Sequence, residues 1–145
     1  MGANPIVWLH EAALRADHPA MRAAGPHATA VYVWDDAQLQ RAGYSLKRLV
    51  FIYECIAALN ITLLRGDTVA VLSALKPDPL YVPACSAQWL EPAIAALQAA
   101  NIPFVRVADV PFVPEKRGHD PKRFFQYWQR AEKYAFTPAA ETLPL

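Results

Sequence analysis

Three residues at the end of one apolar stretch have side chains suited to binding a planar organic ligand. Residues 28–34 read Ala-Thr-Ala-Val-Tyr-Val-Trp, and Asp35 and Asp36 follow directly. The indole of Trp34 could stack on a planar heterocycle, and a carboxylate could accept its hydrogen bonds. The alternative interpretation is a solvated acidic turn beside a packed tryptophan, which is the commoner arrangement.

Two cations stand a short distance further along the chain. Lys47 and Arg48 fall in the first turn of a predicted helix that begins after Ser45. They could contact an anionic arm of a ligand bound beside Trp34. A solvated helix face explains the same two residues equally well.

Several other chemistries are excluded or disfavoured by spacing. The five glycines, at positions 2, 25, 43, 66 and 118, form neither a dinucleotide-binding fingerprint nor a phosphate-binding loop. The four histidines have no spacing that places two metal ligands on one helical face, so we predict no metal site. Cys85 before Ser86 could be a nucleophile, but no partner base is identifiable, and a buried or half-buried cysteine is favoured. We therefore predict no catalytic residues.

Short apolar runs alternate with segments of helical periodicity, and this pattern predicts an α/β fold with a parallel sheet. The runs predict strands over residues 6–9, 28–34, 61–64, 80–82 and 102–107. Asp17 is the predicted cap of a first helix at Pro19, and Asp67 or Thr68 caps one that ends at Leu75. Pro92 predicts the first turn of another. Residues 38–44 and 83–91 are predicted loops.

This alternation places the loops after the first two strands at the carboxyl edge of the sheet, where open α/β sheets bind ligands. A planar anionic ligand would there touch some of His10, Trp34, Asp35 and Arg48. Together with Lys47, these are the predicted ligand-binding residues.

Composition limits the class of protein. The chain has 145 residues, of which 54% are hydrophobic and 19% charged, and we predict one globular domain. The formal net charge of +1 gives no strong attraction to phosphates, so we expect no tight binding to nucleic acid. The apolar runs are too short to span a bilayer. The two cysteines show no disulfide or metal pattern and no leader sequence is evident, so we expect a soluble protein in a reducing cytoplasm.

Two stretches resemble the N-terminal α/β domain of the DNA photolyase and cryptochrome family, which binds the antenna chromophore. The first contains Val7-Trp8 and then an Asp-Asn-Pro-Ala-Leu-like segment that starts at Asp17, although the arginine-rich turn of the family is replaced here. The second matches Arg-x-x-Phe-Leu-x-Glu-Ser-Leu followed by Gly-Asp-Pro, through Arg48, Phe51, Ile52, Glu54, Cys55, Ile56, Gly66 and Asp67. Thr68 stands in place of the proline.

The resemblance implies a doubly wound, Rossmann-like sheet of five strands in the order 3-2-1-4-5, with helices on both faces. It also implies an antenna-type ligand, a folate, deazaflavin or flavin, near the carboxyl-edge loops. The polar loop of the family after the fourth strand is replaced by the apolar Pro83-Ala84-Cys85. The domain that holds the catalytic flavin is not in this sequence, so we predict no photorepair by the chain itself.

The C-terminal part supports a second functional hypothesis. Asp120-Pro121 predicts the start of a helix over about residues 120–136, followed by a frayed tail. One stripe of this helix carries four large aromatic residues, Phe124, Tyr127, Trp128 and Tyr134. Such a stripe needs cover, so the chain could instead be a protein-interaction module that forms a homodimer or docks on a partner through this helix.

Overall fold

Five parallel strands form one sheet in the computed structural model, which describes residues 2–113 and 123–135. The strands are β1 (Ile6–Trp8), β2 (Thr29–Trp34), β3 (Thr62–Arg65), β4 (Leu80–Pro83) and β5 (Phe104–Val107). Their order is β3-β2-β1-β4-β5. The predicted fold class and strand order are both confirmed.

Helices cover both faces of this sheet, because side chains alternate along each strand. On one face Trp8, Val33 and Val82 pack with α4 (Thr68–Ala74) and α5 (Leu90–Ala99). On the other face Val7 and Leu9 pack with α1 (Pro19–Ala24), and Tyr32 packs with α3 (Leu46–Ala58). Strands buried on both faces explain why the apolar runs of the sequence are continuous.

One predicted loop is a helix. Residues 38–44 fall mostly in α2 (Asp36–Ala42), which ends at Gly43 in the left-handed conformation, with φ of 67°. Asp35 is the N-cap, because its carboxylate accepts a hydrogen bond from the Gln38 amide. The loop prediction was wrong because α2 buries only Leu39, and one buried residue leaves no apolar periodicity in the sequence.

Two helix starts also differ from the prediction. The cap of α1 is His18, whose Nδ1 accepts a hydrogen bond from the Ala20 amide at 3.0 Å. Asp17 instead pairs with Arg15, 2.9 Å from its Nε. The helix α5 begins at Leu90, so the predicted loop 83–91 ends two residues early, while Pro92 lies in the first turn as predicted. The predicted caps Ser45 and Asp67 are confirmed.

The chain forms two compact units, the first ending at Asp109 and the second beginning at Val110. The described helix of the second unit is α6 (Phe124–Ala135), within the predicted range. Its Phe124 stacks on Trp128 with ring centres 6.1 Å apart and planes inclined by 10°. The remaining ends of the predicted helix, residues 120–122 and 136, and the predicted frayed tail at 137–145 lie outside the described residues.

Candidate functional site

A cavity of about 300 Å³ lies at the carboxyl ends of the strands, on the face covered by α4 and α5. We call it the sheet-edge cavity, and its walls include Trp8, His10, Asp35, Gln38, Thr68 and Trp89. The strands β1 and β4 are neighbours here although they are not consecutive in the chain. Such a reversal of strand order is where open α/β sheets form ligand-binding crevices.

Three aromatic rings form one wall of the sheet-edge cavity. The ring centres of Trp8 and His10 are 5.6 Å apart, and those of His10 and Trp89 are 5.1 Å apart. Trp8 and Trp89 are in contact as well, at 6.0 Å. All three pairs meet edge to face, which is a favourable arrangement for aromatic rings. Trp8 and His10 are almost fully buried, so Trp89 offers most of the exposed aromatic surface of this wall.

The hydrogen-bonding state of His10 follows from its surroundings. Its side chain is only 1% exposed, and its Nε2 is 2.7 Å from the carbonyl oxygen of Pro83. A carbonyl can only accept a hydrogen bond, so Nε2 carries the hydrogen and donates it. Burial lowers the pKa of His10 below its ordinary value, so the ring is neutral at pH 7 and Nδ1 is a bare acceptor.

Two of the residues that line this cavity each have one buried polar atom that lacks a hydrogen-bond partner among the residues that the structure describes. These atoms are His10 Nδ1, an acceptor, and Gln38 Nε2, a donor. No other buried side-chain nitrogen or oxygen in residues 2–113 and 123–135 is in this state. Most buried polar atoms in proteins have partners, and exceptions concentrate where a ligand or an ordered water binds.

Asp35, in contrast, has its hydrogen bonds formed already. One carboxylate oxygen accepts from the Gln38 amide at 3.0 Å, and the other accepts from the amide and the hydroxyl of Thr68, both at 2.9 Å. Burial alone would raise the pKa of Asp35, but these three hydrogen bonds outweigh it and lower the pKa. Asp35 therefore joins the start of α2 to the start of α4, and its main role is to build the cavity wall.

The charged side chains around the sheet-edge cavity are mostly acidic. Glu11, Asp35 and Asp67 supply three carboxylates, and Arg41 supplies one guanidinium. Glu11 accepts a hydrogen bond from the Tyr44 hydroxyl at 3.2 Å. This charge balance does not favour the anionic ligand expected from the sequence.

The five predicted ligand-binding residues do not form one group. His10 and Asp35 both line the sheet-edge cavity. Trp34 lies on the opposite face of the sheet, where its ring centre is 6.4 Å from that of Tyr53 on α3. Its Nε1 donates to Asp36 at 3.2 Å.

Arg48 lines a second cavity, of about 220 Å³, between the loop after β1 and α3. We call this the α3 groove, and its walls include Glu11, Leu14, Arg15, Arg48, Phe51 and Cys55. The guanidinium of Arg48 lies over the Tyr44 ring, 5.0 Å from its centre. Lys47 is exposed and lines neither cavity.

Sequence reasoning missed Gln38, Thr68 and Trp89 as site residues. Gln38 was assigned to a loop, Thr68 was considered only as a helix cap, and Trp89 lies in a segment without periodicity. One signal was available, because side chains alternate between the faces of a strand. Continued from Trp8 and Val33, this alternation places His10 and Asp35 on one face and Trp34 on the other.

Among the described residues, no three His, Cys, Asp or Glu side chains are placed to hold a metal ion. Within the same ranges, no helix has both the length and the apolar character needed to cross a membrane. The sequence matches no model of a known protein family and no curated protein with which it was compared.

Proposed function

We propose that this protein binds a small planar organic molecule in the sheet-edge cavity. The observation that carries the proposal is the sheet-edge cavity itself, which lies where the strand order reverses and is lined by the rings of Trp8, His10 and Trp89. Removing the apolar surface of a flat ligand from water in such a cavity is favourable by about 25 cal/mol for each Å². The aromatic wall of Trp8, His10 and Trp89 would cover the face or edge of its ring.

The resemblance to the photolyase antenna domain gives this proposal a more specific form. In that form the chain is a photolyase-like domain that holds a folate, deazaflavin or flavin chromophore, or a nucleotide, without catalysing photorepair. The strand order β3-β2-β1-β4-β5 agrees with what the resemblance implies. Many unrelated proteins use doubly wound sheets, so the fold alone does not identify the ligand.

Absorbance of the protein as isolated is the first test. A bound chromophore gives a near-ultraviolet or visible band that is released on denaturation and can be identified by mass spectrometry. If the protein is isolated without ligand, candidate molecules can be titrated while the fluorescence of Trp8 and Trp89 is followed.

A variant that fills the cavity makes the test specific. Ala93 lines the sheet-edge cavity, whereas Ala95 on the same helix is exposed and does not. We expect Ala93→Trp to abolish binding and Ala95→Trp to leave it unchanged. Equal binding by both variants would contradict the assignment of the ligand to this cavity.

A second candidate function is protein interaction through α6. Phe124 and Phe125 are 64% and 77% exposed, which is unusual for adjacent large aromatic residues. A homodimer, or a partner protein, would remove this surface from water. Fully burying each ring is worth about 1.5–3 kcal/mol.

The mass of the protein in solution tests this candidate. We expect light scattering to show a dimer that Phe124→Asp converts to a monomer, with Gln126→Asp, at an exposed position of the same helix, as the control. A monomer at every accessible concentration would exclude the homodimer and leave only a different partner.

A further inference from the structure

The helix α3 exposes an unusually apolar surface for a helix that already covers a sheet. Its Ile52 and Ile56 are buried against Tyr32, so polar residues are expected on the opposite side. Instead, Leu46 is 76% exposed and Phe51 is 62% exposed. The other four helices of the first unit, all within the described residues, expose no large apolar side chain. We call the exposed side of α3 its outer face, and its apolar members are Leu46, Val50, Phe51, Tyr53, Ala57 and Ala58.

Two charged residues of opposite sign, Lys47 and Glu54, complete the outer face. At 3.6 residues per turn both lie almost directly opposite the buried Ile52. They are two turns apart, about 10 Å along the helix axis, which is too far for an ion pair within one helix. The positions three and four residues from both of them hold Val50 and Phe51, which are apolar. Neither charge has an ion-pair partner among the residues that the structure describes.

These positions are self-complementary when two copies of α3 cross in opposite directions. A two-fold axis that passes between Val50 and Phe51 places Lys47 of each copy opposite Glu54 of the other, because the two residues are equally far from that point. Two ion pairs then form, and the apolar residues around them are removed from water. We infer that the protein forms a symmetric homodimer through the outer face of α3, with the two Lys47–Glu54 pairs fixing its register. This inference goes beyond the proposed ligand site and uses a different surface from α6.

The charge of the outer face favours a second copy over a strongly charged partner. Lys47 and Glu54 cancel, so the outer face has no net attraction for nucleic acid or for a strongly acidic or basic protein. An antiparallel second copy meets both charges with their opposites and covers the apolar residues at the same time. The outer face therefore has the charge pattern of an isologous contact.

The size of the contact sets its expected strength. The helix has 13 residues and is about 20 Å long. We expect two such helices to bury less than the roughly 1,200 Å² that is typical of stable complexes. The dimer should therefore be reversible, with a dissociation constant of micromolar order or weaker, and populated at concentrations above those of the light-scattering test.

Charge reversal tests the pairing. Sedimentation equilibrium of the full-length protein, at concentrations up to about 1 mM, measures the dissociation constant of the dimer. Every variant also carries Phe124→Asp, so that α6 does not contribute. We expect Lys47→Glu or Glu54→Lys alone to weaken the dimer about tenfold, because each places like charges opposite one another twice. The two substitutions combined should restore the dissociation constant to within about threefold.

Mixing the two single variants sharpens this test. Lys47→Glu gives a copy with two acidic positions on the outer face, and Glu54→Lys gives a copy with two basic positions. Both ion pairs can form only between unlike copies. We expect the mixture to contain dimers of one copy of each variant, detected by native mass spectrometry with one variant labelled with ¹⁵N, in excess over the dimers of either variant alone.

A substitution at the centre of the contact tests the apolar contribution. Val50 is exposed, so Val50→Asp should leave the fold intact and weaken the dimer about thirtyfold or more. The control is Ala95→Asp, at an exposed position of α5, which should leave the dissociation constant unchanged. Equal melting temperatures of the two variants would show that both are folded.

Three results would overturn the inference. The first is a monomer in the Phe124→Asp background at every concentration, which would leave α6 as the only surface tested that forms a dimer. The second is a dimer that neither charge reversal weakens, or that the combined variant fails to restore. The third is a dimer that Val50→Asp and Ala95→Asp affect equally. None of these results bears on ligand binding in the sheet-edge cavity.

Discussion

The two cavities of the first unit differ in how many of their polar groups already have a partner within the protein. In the α3 groove, Arg15 pairs with both Asp17 and Asp109, and Arg48 lies over the Tyr44 ring. In the sheet-edge cavity, His10 and Gln38 each keep a buried atom without a partner among the described residues. Of the two cations selected from the sequence, only Arg48 lines the groove, whereas the residues with an unsatisfied buried atom, His10 and Gln38, line the cavity.

The difference shows that the type of a side chain is a weaker guide to binding than its state in the folded protein. Exposed arginines remain solvated and lose little when a ligand is absent. A buried polar atom that lacks a partner carries a free-energy cost, which an exposed one does not. The same difference is found within the sheet-edge cavity. The carboxylate of Asp35 has hydrogen-bond partners for both oxygens, whereas His10 Nδ1 has none among the described residues.

The largest expected effect on stability comes from removing the carboxylate of Asp35. Asp35→Ala removes three hydrogen bonds and leaves the amide of Thr68 and its hydroxyl without their acceptor. We expect the free energy of unfolding to fall by about 3–5 kcal/mol, combining the loss of a helix cap with unsatisfied buried groups.

Urea denaturation measures this change, and Asp36→Ala is the matched control. Asp36 is exposed, and its contacts with Arg65 and with the Trp34 indole lie at the surface, so its loss should change stability little. Similar effects of the two substitutions would show that Asp35 does not hold the wall of the cavity.

A smaller effect is expected from lowering the pH. Burial lowers the pKa of both His10 and His18, so the native state takes up protons less readily than the unfolded state, whose histidines titrate near 6.5. Stability should therefore be full above about pH 6.5 and fall as the solution is acidified, by at most about 1.4 kcal/mol per pH unit for each histidine.

Denaturation at pH 7, 6 and 5 measures this slope. His18→Asn keeps an acceptor at the start of α1 and removes one of the two groups, so the remaining slope belongs to His10 in the sheet-edge cavity. A wild-type stability that is constant over this range would show that His10 is not held neutral by burial.

More of the fold than of the candidate site could be predicted from the sequence. Apolar runs reveal strands that are buried on both faces, and the caps Ser45 and Asp67 mark helix starts locally. The placement of His10 and Gln38 at one cavity depends on which strands are neighbours and on the helix α2, which has only one buried residue. Such a contact between distant parts of the chain has no local pattern in the sequence.

Replacing the side-chain amide of Gln38 should change stability in the opposite direction from the substitutions and the acidification above. In Gln38→Leu an apolar side chain of similar size takes the place of a buried donor that has no partner among the described residues. We expect the unfolding free energy of the ligand-free protein to stay the same or rise by about 1 kcal/mol.

The control is Gln40→Leu, at an exposed position of α2, which should change stability by less than about 0.5 kcal/mol. A clear loss of stability in Gln38→Leu would mean that the Gln38 amide is satisfied in the free protein, in contrast to the geometry.

The smallest effect is expected in the α3 groove. Arg48→Ala removes a guanidinium from the Tyr44 ring, a contact worth about 0.5 kcal/mol at an exposed site. Stability should change by about that amount, and the affinity of the sheet-edge cavity should not change. Loss of ligand binding in this variant, measured by the fluorescence titration, would show that the ligand binds in the α3 groove.

The hydrogen bonds from Asp35 to the starts of two helices have a consequence for how the protein fluctuates. One carboxylate holds the amide hydrogens of Gln38 and Thr68, in two different helices, so neither helix start can open without disturbing the other. Their amide hydrogens should exchange with deuterium in one cooperative event and at similar rates. Access to the cavity from this side would then be all-or-none, with no partly opened state between.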